Sequence, residues 1–332
     1  MVRFGIIGTN VISGGFVRAA KKVPEVALHA VHSRKTQSAE RFIERHLDGA
    51  EPVKIYTDIE SLARDKEIDA VYVASPNALH CEQAVLLLNA GKHVLGEKPS
   101  ATNVSELERI YAAARQNQRC FMEALLTTHM PNYKVLKEQL HRIGVPRKYI
   151  GQYCQYSSRY DLYKQGQSIN TFMPEFSNGA LMDLGIYPLS PVIDLWGVPD
   201  KIQANSLFLD SGVDGATDLL LDYADKQASI SCSKISNGHN ITEIQGELGR
   251  IEIDFVSFIK KIRLYLNDGT VENLGVEQDL DIMRYEIEHF VQLIKRGSIE
   301  SDINSWSFSQ SVLSVIEQAR KQVGLVYPGD NR

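Results

Sequence analysis

The chain has 332 residues, 43% hydrophobic and 23% charged, with a formal net charge of −5. That is the make-up of an ordinary globular protein with apolar mass for about two domains of roughly 100–200 residues each. Lysines and arginines are scattered rather than striped, so neither nucleic acid nor an anionic membrane is expected as a partner, and no run approaches the roughly 20 apolar residues of a membrane span.

The chain opens directly on an apolar strand at 2–7, so no signal peptide is expected and cytoplasmic residence is the default expectation. The first 120 residues then alternate short apolar runs with amphipathic stretches. Strands are predicted at 2–7, 27–31, 55–56, 70–74, 93–95 and 120–122, with helices at 11–22, 38–46, 59–64, 81–90 and 104–117. Such alternation reads as βαβ units in a parallel sheet covered on both faces. The pattern divides the chain into an alternating α/β domain over 1–122 and a second domain over 123–332.

The first predicted strand runs into Gly8, Thr9, Asn10, Val11, Ile12 and Ser13. The usual dinucleotide loop is G-x-G-x-x-G/A, opening a helix whose first amides hold the pyrophosphate. Gly8 keeps the tight turn, Asn10 replaces the second glycine and Ser13 the third. Asn tolerates left-handed backbone angles best after Gly, so the loop is expected to form. After the second strand come His32, Ser33, Arg34 and Lys35, where an NAD enzyme usually carries a carboxylate for the ribose. A hydroxyl with two cations fits a 2′-phosphate instead, which favours NADP with NAD as second choice. The fourth strand ends in Ser75, Pro76 and Asn77, with His80 following. Asn77 is read as a cap of the next helix or a cofactor contact.

The stretch 90–99 ends in Glu97, Lys98 and Pro99, just past the fifth strand. Lys98 is either a surface lysine paired with Glu97 or a functional ammonium at the ligand edge of the sheet. Beyond Glu123 the texture changes to longer strands. A helix is expected over 132–142. Residues 227–233 alternate Ala228, Ile230 and Cys232 with hydroxyls, and Asp268-Gly269 between 262–266 and 271–274 is a hairpin signal. This half reads as an α+β domain with a large, mainly antiparallel open sheet, whose uncovered face is expected to take an oligomer partner. Residues 157–178 form the longest irregular segment, a candidate pocket wall, from which Arg159, Tyr160 and Tyr163 are chosen as substrate contacts. Helices at 282–296 and 305–322 close the chain, the last expected to pack back on the first domain. The cysteines Cys81, Cys120, Cys154 and Cys232 show no C-x-x-C spacing and read as buried thiols, and no metal is expected.

Gly179 to Pro188 supplies the proton-transfer candidates. Asp183 and Tyr187 are four apart and share one face of a helix. Tyr, with a reference pKa of about 10, becomes a usable acid–base group when a nearby ammonium favours its phenolate. Otherwise Asp183 caps a helix and Tyr187 packs in a core.

Taken together, residues 4–13, Ser75-Pro76-Asn77 with His80, 90–99, and 179–188 running on to Gly197 resemble the Gfo/Idh/MocA oxidoreductase family. The resemblance implies a Rossmann domain followed by a domain with a large open sheet, assembling as a homodimer or homotetramer. It places the family lysine on Lys98, with a Lys98–Pro99 peptide that is often cis, and the D-x-G-x-H/Y element on Asp183, Gly185 and Tyr187. Tyr in the last position matches the glucose–fructose oxidoreductase and dihydrodiol dehydrogenase branch, which tends to prefer NADP. Two places depart from the pattern: Asn10 in the glycine loop, and His129-Met130-Pro131 where members often carry an arginine–aromatic pair. The expected activity is NAD(P)-dependent interconversion of alcohol and carbonyl on a sugar, polyol or cyclic diol-like small molecule. Catalysis would rest on Lys98, Tyr187 and Asp183, which with Arg159, Tyr160 and Tyr163 would contact the substrate. The cofactor contacts would be Gly8, Thr9, Asn10, Val11, Ile12, Ser33, Arg34, Lys35, Ser75, Pro76, Asn77, His80, Glu97 and Lys98. The rival reading is a silent dinucleotide sensor of the same fold. A third is an enzyme that keeps its nucleotide and shuttles hydride between two sugars.

Overall fold

The computed structural model describes residues 1–47 and 52–331. It divides into two compact units, one of Met1–Leu126 with Asp279–Trp306, the other of Thr127–Gln278 with the residues from Ser307 onward.

In the first unit the chain runs β1 (Val2–Ile7), α1 (Val11–Ala20), β2 (Val26–His32), α2 (Thr36–His46), β3 (Lys54–Tyr56), α3 (Ile59–Arg64), β4 (Ala70–Val73), α4 (His80–Asn89), β5 (His93–Glu97), α5 (Val104–Asn117) and β6 (Phe121–Ala124). The six strands pair in parallel in the order β3-β2-β1-β4-β5-β6. The order reverses between β1 and β4, the switch point at which ligands bind in doubly wound sheets. β4 is buried at every position, as a central strand covered on both faces must be. Phe16 of α1 stacks on Tyr72 of β4 with centroids 4.1 Å apart and meets Phe4 of β1 at 5.6 Å.

The second unit contains α6 (Pro131–Gln139), β7 (Pro146–Cys154), α7 (Tyr160–Lys164), α8 (Ile186–Trp196), β8 (Lys201–Phe208), β9 (Asp214–Asp222), β10 (Gln227–Ser233), β11 (Ile241–Gly246), β12 (Gly249–Asp254), β13 (Ile262–Leu266) and β14 (Val271–Asn273). Its eight-stranded sheet has the order β14-β13-β12-β11-β7-β10-β9-β8 and is antiparallel except where β7 meets β10. Along β10, Ala228, Ile230 and Cys232 are buried while Ser229 and Ser231 face the other way. That second face also carries Leu220, 53% exposed, and Asn205 and Asp218 beside it. The predicted hairpin is present, with Gly269 at φ +93° between β13 and β14. All four cysteines are buried and none is in a disulfide.

The closing helices part company. α9 (Met283–Lys295) belongs to the first unit and α10 (Trp306–Val323) to the second from Ser307 on. The last helix was expected to return to the first domain; its first residue, Trp306, lies in the first unit with its ring stacked on Tyr111 at 4.8 Å, and the helix that joins the first core along its length is α9. The reason is the apolar stripe of α9, Met283, Ile287, Phe290 and Val291, which joins the core of Phe4 and Phe16. α10 instead ties to β8, where Gln322 Nε2 donates to the Ile202 carbonyl at 2.9 Å. Among the described residues no helix is long and apolar enough to cross a membrane.

Candidate active site

In a parallel sheet all strands end at one edge, so Gly8, Ser33, Ser75 and Lys98 gather on the same side of the first unit. Gly8 has φ +104°, and a Cβ there would lie 2.5 Å from the Ala74 carbonyl, so no other residue fits. Asn10 does not use the left-handed freedom expected of it. Its φ is −93°, and it is the N-cap of α1. Its Oδ1 accepts from the Ser13 amide at 3.0 Å and from Ser13 Oγ at 3.1 Å, while Nδ2 donates to the Ala74 carbonyl at 2.8 Å. One side chain thus caps the helix and ties β1 to β4 across the switch point, which accounts for Asn in place of glycine. The amides of Val11 and Ile12 lie in the first helical turn, ahead of the helix's own bonds, and Val11 is 87% exposed. Thr9 is half-buried.

At the end of β2 the Ser33 amide donates to the Tyr56 carbonyl at 3.1 Å. Burial lowers the pKa of His32, the last residue of the strand. Arg34 and Lys35 are exposed, and Lys35 precedes α2 without a side-chain capping bond. Past β4, Ser75 Oγ donates to Gln83 Oε1 at 2.7 Å. Asn77 is not the cap of α4: it opens a 3-10 turn, Asn77–Leu79, behind Pro76, and Leu79 takes the cap position. His80, the first residue of α4, is buried with Nδ1 2.9 Å from the Pro99 carbonyl and Nε2 2.8 Å from the Ser75 carbonyl. It ties the loop after β4 to the loop after β5.

Glu97 is no surface partner of Lys98. It is buried, accepts the Tyr72 hydroxyl and accepts the Lys98 amide at 3.2 Å. Burial raises its pKa. Lys98 follows half-buried, and the Lys98–Pro99 peptide is cis.

In the second unit Asp183 sits in a π-helical turn, Leu181–Gly185, that runs into α8. Such turns are rare and are frequently found at functional sites. Gly179 before it has φ +148°, and a Cβ there would lie 1.9 Å from Asp214 Oδ1. Asp214 is fully buried and its Oδ2 accepts from the Leu181 amide and from Thr217 Oγ1, each at 2.7 Å. Burial pushes its pKa up to about 6. Asp183 Oδ2 is ion-paired with Lys234 Nζ and accepts from Thr171 Oγ1 at 3.3 Å. Tyr187, half-buried on α8, has its ring 5.6 Å from that of Tyr153. The Pro188 carbonyl accepts the buried Tyr149 hydroxyl at 2.8 Å, fixing the start of the helix.

Of the wall residues, Tyr160 and Tyr163 pack on the buried Phe172 with centroids 5.5 and 5.2 Å away. Tyr163 is partly committed, since its hydroxyl accepts from the Ser211 amide at 3.1 Å. Arg159 is exposed at the start of α7. Sequence reasoning missed Lys234, Thr171 and Asp214. Lys234 had a signal: it continues the 228, 230, 232 parity of β10, so alternation puts an ammonium on the buried face. Away from this region, ligand atoms of His29, Asp65 and Glu67 lie within 4.8 Å of one another. Lys54 Nζ donates to both carboxylates, at 3.0 and 2.5 Å, so an ammonium already takes the place a cation would occupy.

Comparison with known proteins agrees with this architecture. Residues 2–125 match an oxidoreductase family model with an NAD-binding Rossmann fold, and residues 139–252 match the GFO/IDH/MocA C-terminal domain. The chain is 44% identical to scyllo-inositol 2-dehydrogenase (NADP(+)) IolU of Bacillus subtilis, over 99% of each chain. It is 26% identical to trans-1,2-dihydrobenzene-1,2-diol dehydrogenase of Homo sapiens, over 100% of this chain and 99% of the other. Among solved structures, KijD10, a 3-ketoreductase from Actinomadura kijaniata in complex with NADP and TDP-benzene, superposes with TM-score 0.82 at 25% identity, covering 97% and 98% of the two chains. A parallel Rossmann sheet, a largely antiparallel open sheet and near-full-length identity at this level place the chain in the Gfo/Idh/MocA family of oxidoreductases.

Proposed function

We propose that the chain is an NADP-dependent dehydrogenase that oxidises one secondary hydroxyl of a cyclic polyol, or reduces the matching ketone. The observation that carries this reading is the 44% identity over 99% of the length of an NADP-dependent scyllo-inositol dehydrogenase, in a chain that also has Lys98, Asp183 and Tyr187. The first unit fits a dinucleotide: Gly8 admits no Cβ, and the first-turn amides of α1 suit a pyrophosphate. Ser33 and the exposed Arg34 and Lys35 suit a 2′-phosphate. A bound nicotinamide supplies the hydride acceptor. The protein's part is proton handling and orientation. Tyr187 takes the hydroxyl proton in oxidation and returns it in reduction. Lys98 holds the reacting oxygen and favours the Tyr187 phenolate. Asp183, ionised beside Lys234, accepts a hydrogen bond from a neighbouring substrate hydroxyl. Tyr160 and the Phe172 ring contribute wall.

A second copy of the chain is proposed to cover the outer face of the open sheet around Leu220, which a monomer leaves in water.

The test is a panel of cyclitols, sugars and cyclic diols with NADP and NAD, followed at the nicotinamide absorbance. Lys98→Met should lower kcat by at least about 10³-fold while NADPH binding stays within about twofold, because a general acid–base partner and a charge clamp are lost together. A Lys98→Met protein with undiminished turnover would remove the proposed relay.

A further inference from the structure

Lys234 occupies a position where a lysine is out of place. It continues the inward parity of β10 and is 5% exposed. Its amide donates to the Gly215 carbonyl at 2.8 Å, which locks the backbone against the start of β9. The side chain then reaches two other segments. Nζ donates to Thr171 Oγ1 and to Asp183 Oδ2, and Thr171 Oγ1 itself donates to Asp183 Oδ2 at 3.3 Å. The Phe172 ring lies 5.6 Å from the ammonium. A buried ammonium is retained only where a charged partner and hydrogen bonds compensate its lost hydration. Here the partner is the carboxylate assigned to the reaction.

We propose that Lys234 is a positioning residue for Asp183: with Thr171 it holds the Asp183 carboxylate ionised and in one orientation, as a fixed acceptor for a substrate hydroxyl. The inference rests on the dehydrogenase reading above. It deepens that reading by requiring a substrate that carries a second hydroxyl for Asp183 to receive. The anchoring is three-sided. Lys234 comes from the end of β10, Thr171 from the turn Asn170–Phe172, and Asp183 from the π-helical turn. Asp214 and Tyr327 also act electrostatically with Asp183, and neither supplies a positive charge. Lys234 does, through its ion pair with Asp183.

The test compares Lys234→Gln, Lys234→Arg and Asp183→Asn with the wild type, using scyllo-inositol and NADP. Lys234→Gln keeps a donor and loses the charge. It should lower kcat by about 10²-fold, the scale of loss for a misplaced catalytic group, with the KM for NADP unchanged within twofold. Lys234→Arg restores the charge and should recover kcat to within about tenfold of wild type. A part that is only structural predicts the opposite: lowered thermal stability with kcat retained in the folded fraction. Lys234→Gln turnover within threefold of wild type, with Asp183→Asn inactive, overturns the proposal and leaves the dehydrogenase reading intact. Asp183→Asn at full activity, or equal losses in Lys234→Gln and Lys234→Arg, also overturns it. A wild type that turns over no polyol overturns the functional reading itself.

Discussion

Glu286 of α9 offers a quantitative test of how the first unit is built. The residue is 0% exposed, and neither carboxylate oxygen has a hydrogen-bond partner among the described residues. Burial holds its pKa well above the ordinary 4.5, and the charge of Glu97 adds to the effect. The folded protein therefore keeps this acid protonated where the unfolded chain has released the proton. Stability from this group is complete below pH 4.5 and falls as pH rises towards the raised folded value. The slope for one proton is about 1.4 kcal/mol per pH unit. For a domain of this size that corresponds to about 3–6 °C in melting temperature per pH unit. Glu286→Gln fills the same volume with a group that cannot ionise. Near pH 5 the variant should melt close to the wild type, and it should gain on it as pH rises towards the raised folded value. Thermal melts of the apoprotein across that range provide the assay. Two curves running parallel from pH 5 to pH 8 would refute the idea of a neutral buried acid at this position.

Asp214 follows the same rule in the second unit. Its pKa rises from 3.8 to about 6, so the wild type loses stability between pH 4 and pH 6 and no further above it. At about 1.4 kcal/mol per pH unit the loss is about 3 kcal/mol, and Asp214→Asn should remove that dependence in denaturation curves taken at pH 4 and pH 7. Arg34→Ala should raise the KM for NADP by roughly 10–100-fold, the range for one lost charge-assisted hydrogen bond, and leave the KM for NAD nearly unchanged. Equal effects on the two cofactors would show that Arg34 does not meet the 2′-phosphate.

Much of the fold was legible because its signals are local. The βαβ alternation needs only the apolar period of each segment, and all six strands of the parallel sheet stand within a few residues of their predicted positions. The Asp268-Gly269 hairpin is equally local, since Gly269 must accept a positive φ. Asn10 was misread because its backbone angles follow from a partner 64 residues away, the Ala74 carbonyl. Glu97 looked like half of a surface pair because nothing in Glu-Lys-Pro says that Tyr72 waits beneath it.

The sequence alone determined the secondary elements, the glycine turn and the order of lysine, aspartate and tyrosine along the chain. Those depend on the chemistry of neighbouring residues. Only the tertiary structure decided that α9 rather than the last helix completes the first core, and that Lys234 meets Asp183 across 51 positions of sequence. Burial creates both results. A charge or an apolar stripe removed from water must find compensation wherever the fold supplies it, and that distance is not written in local pattern.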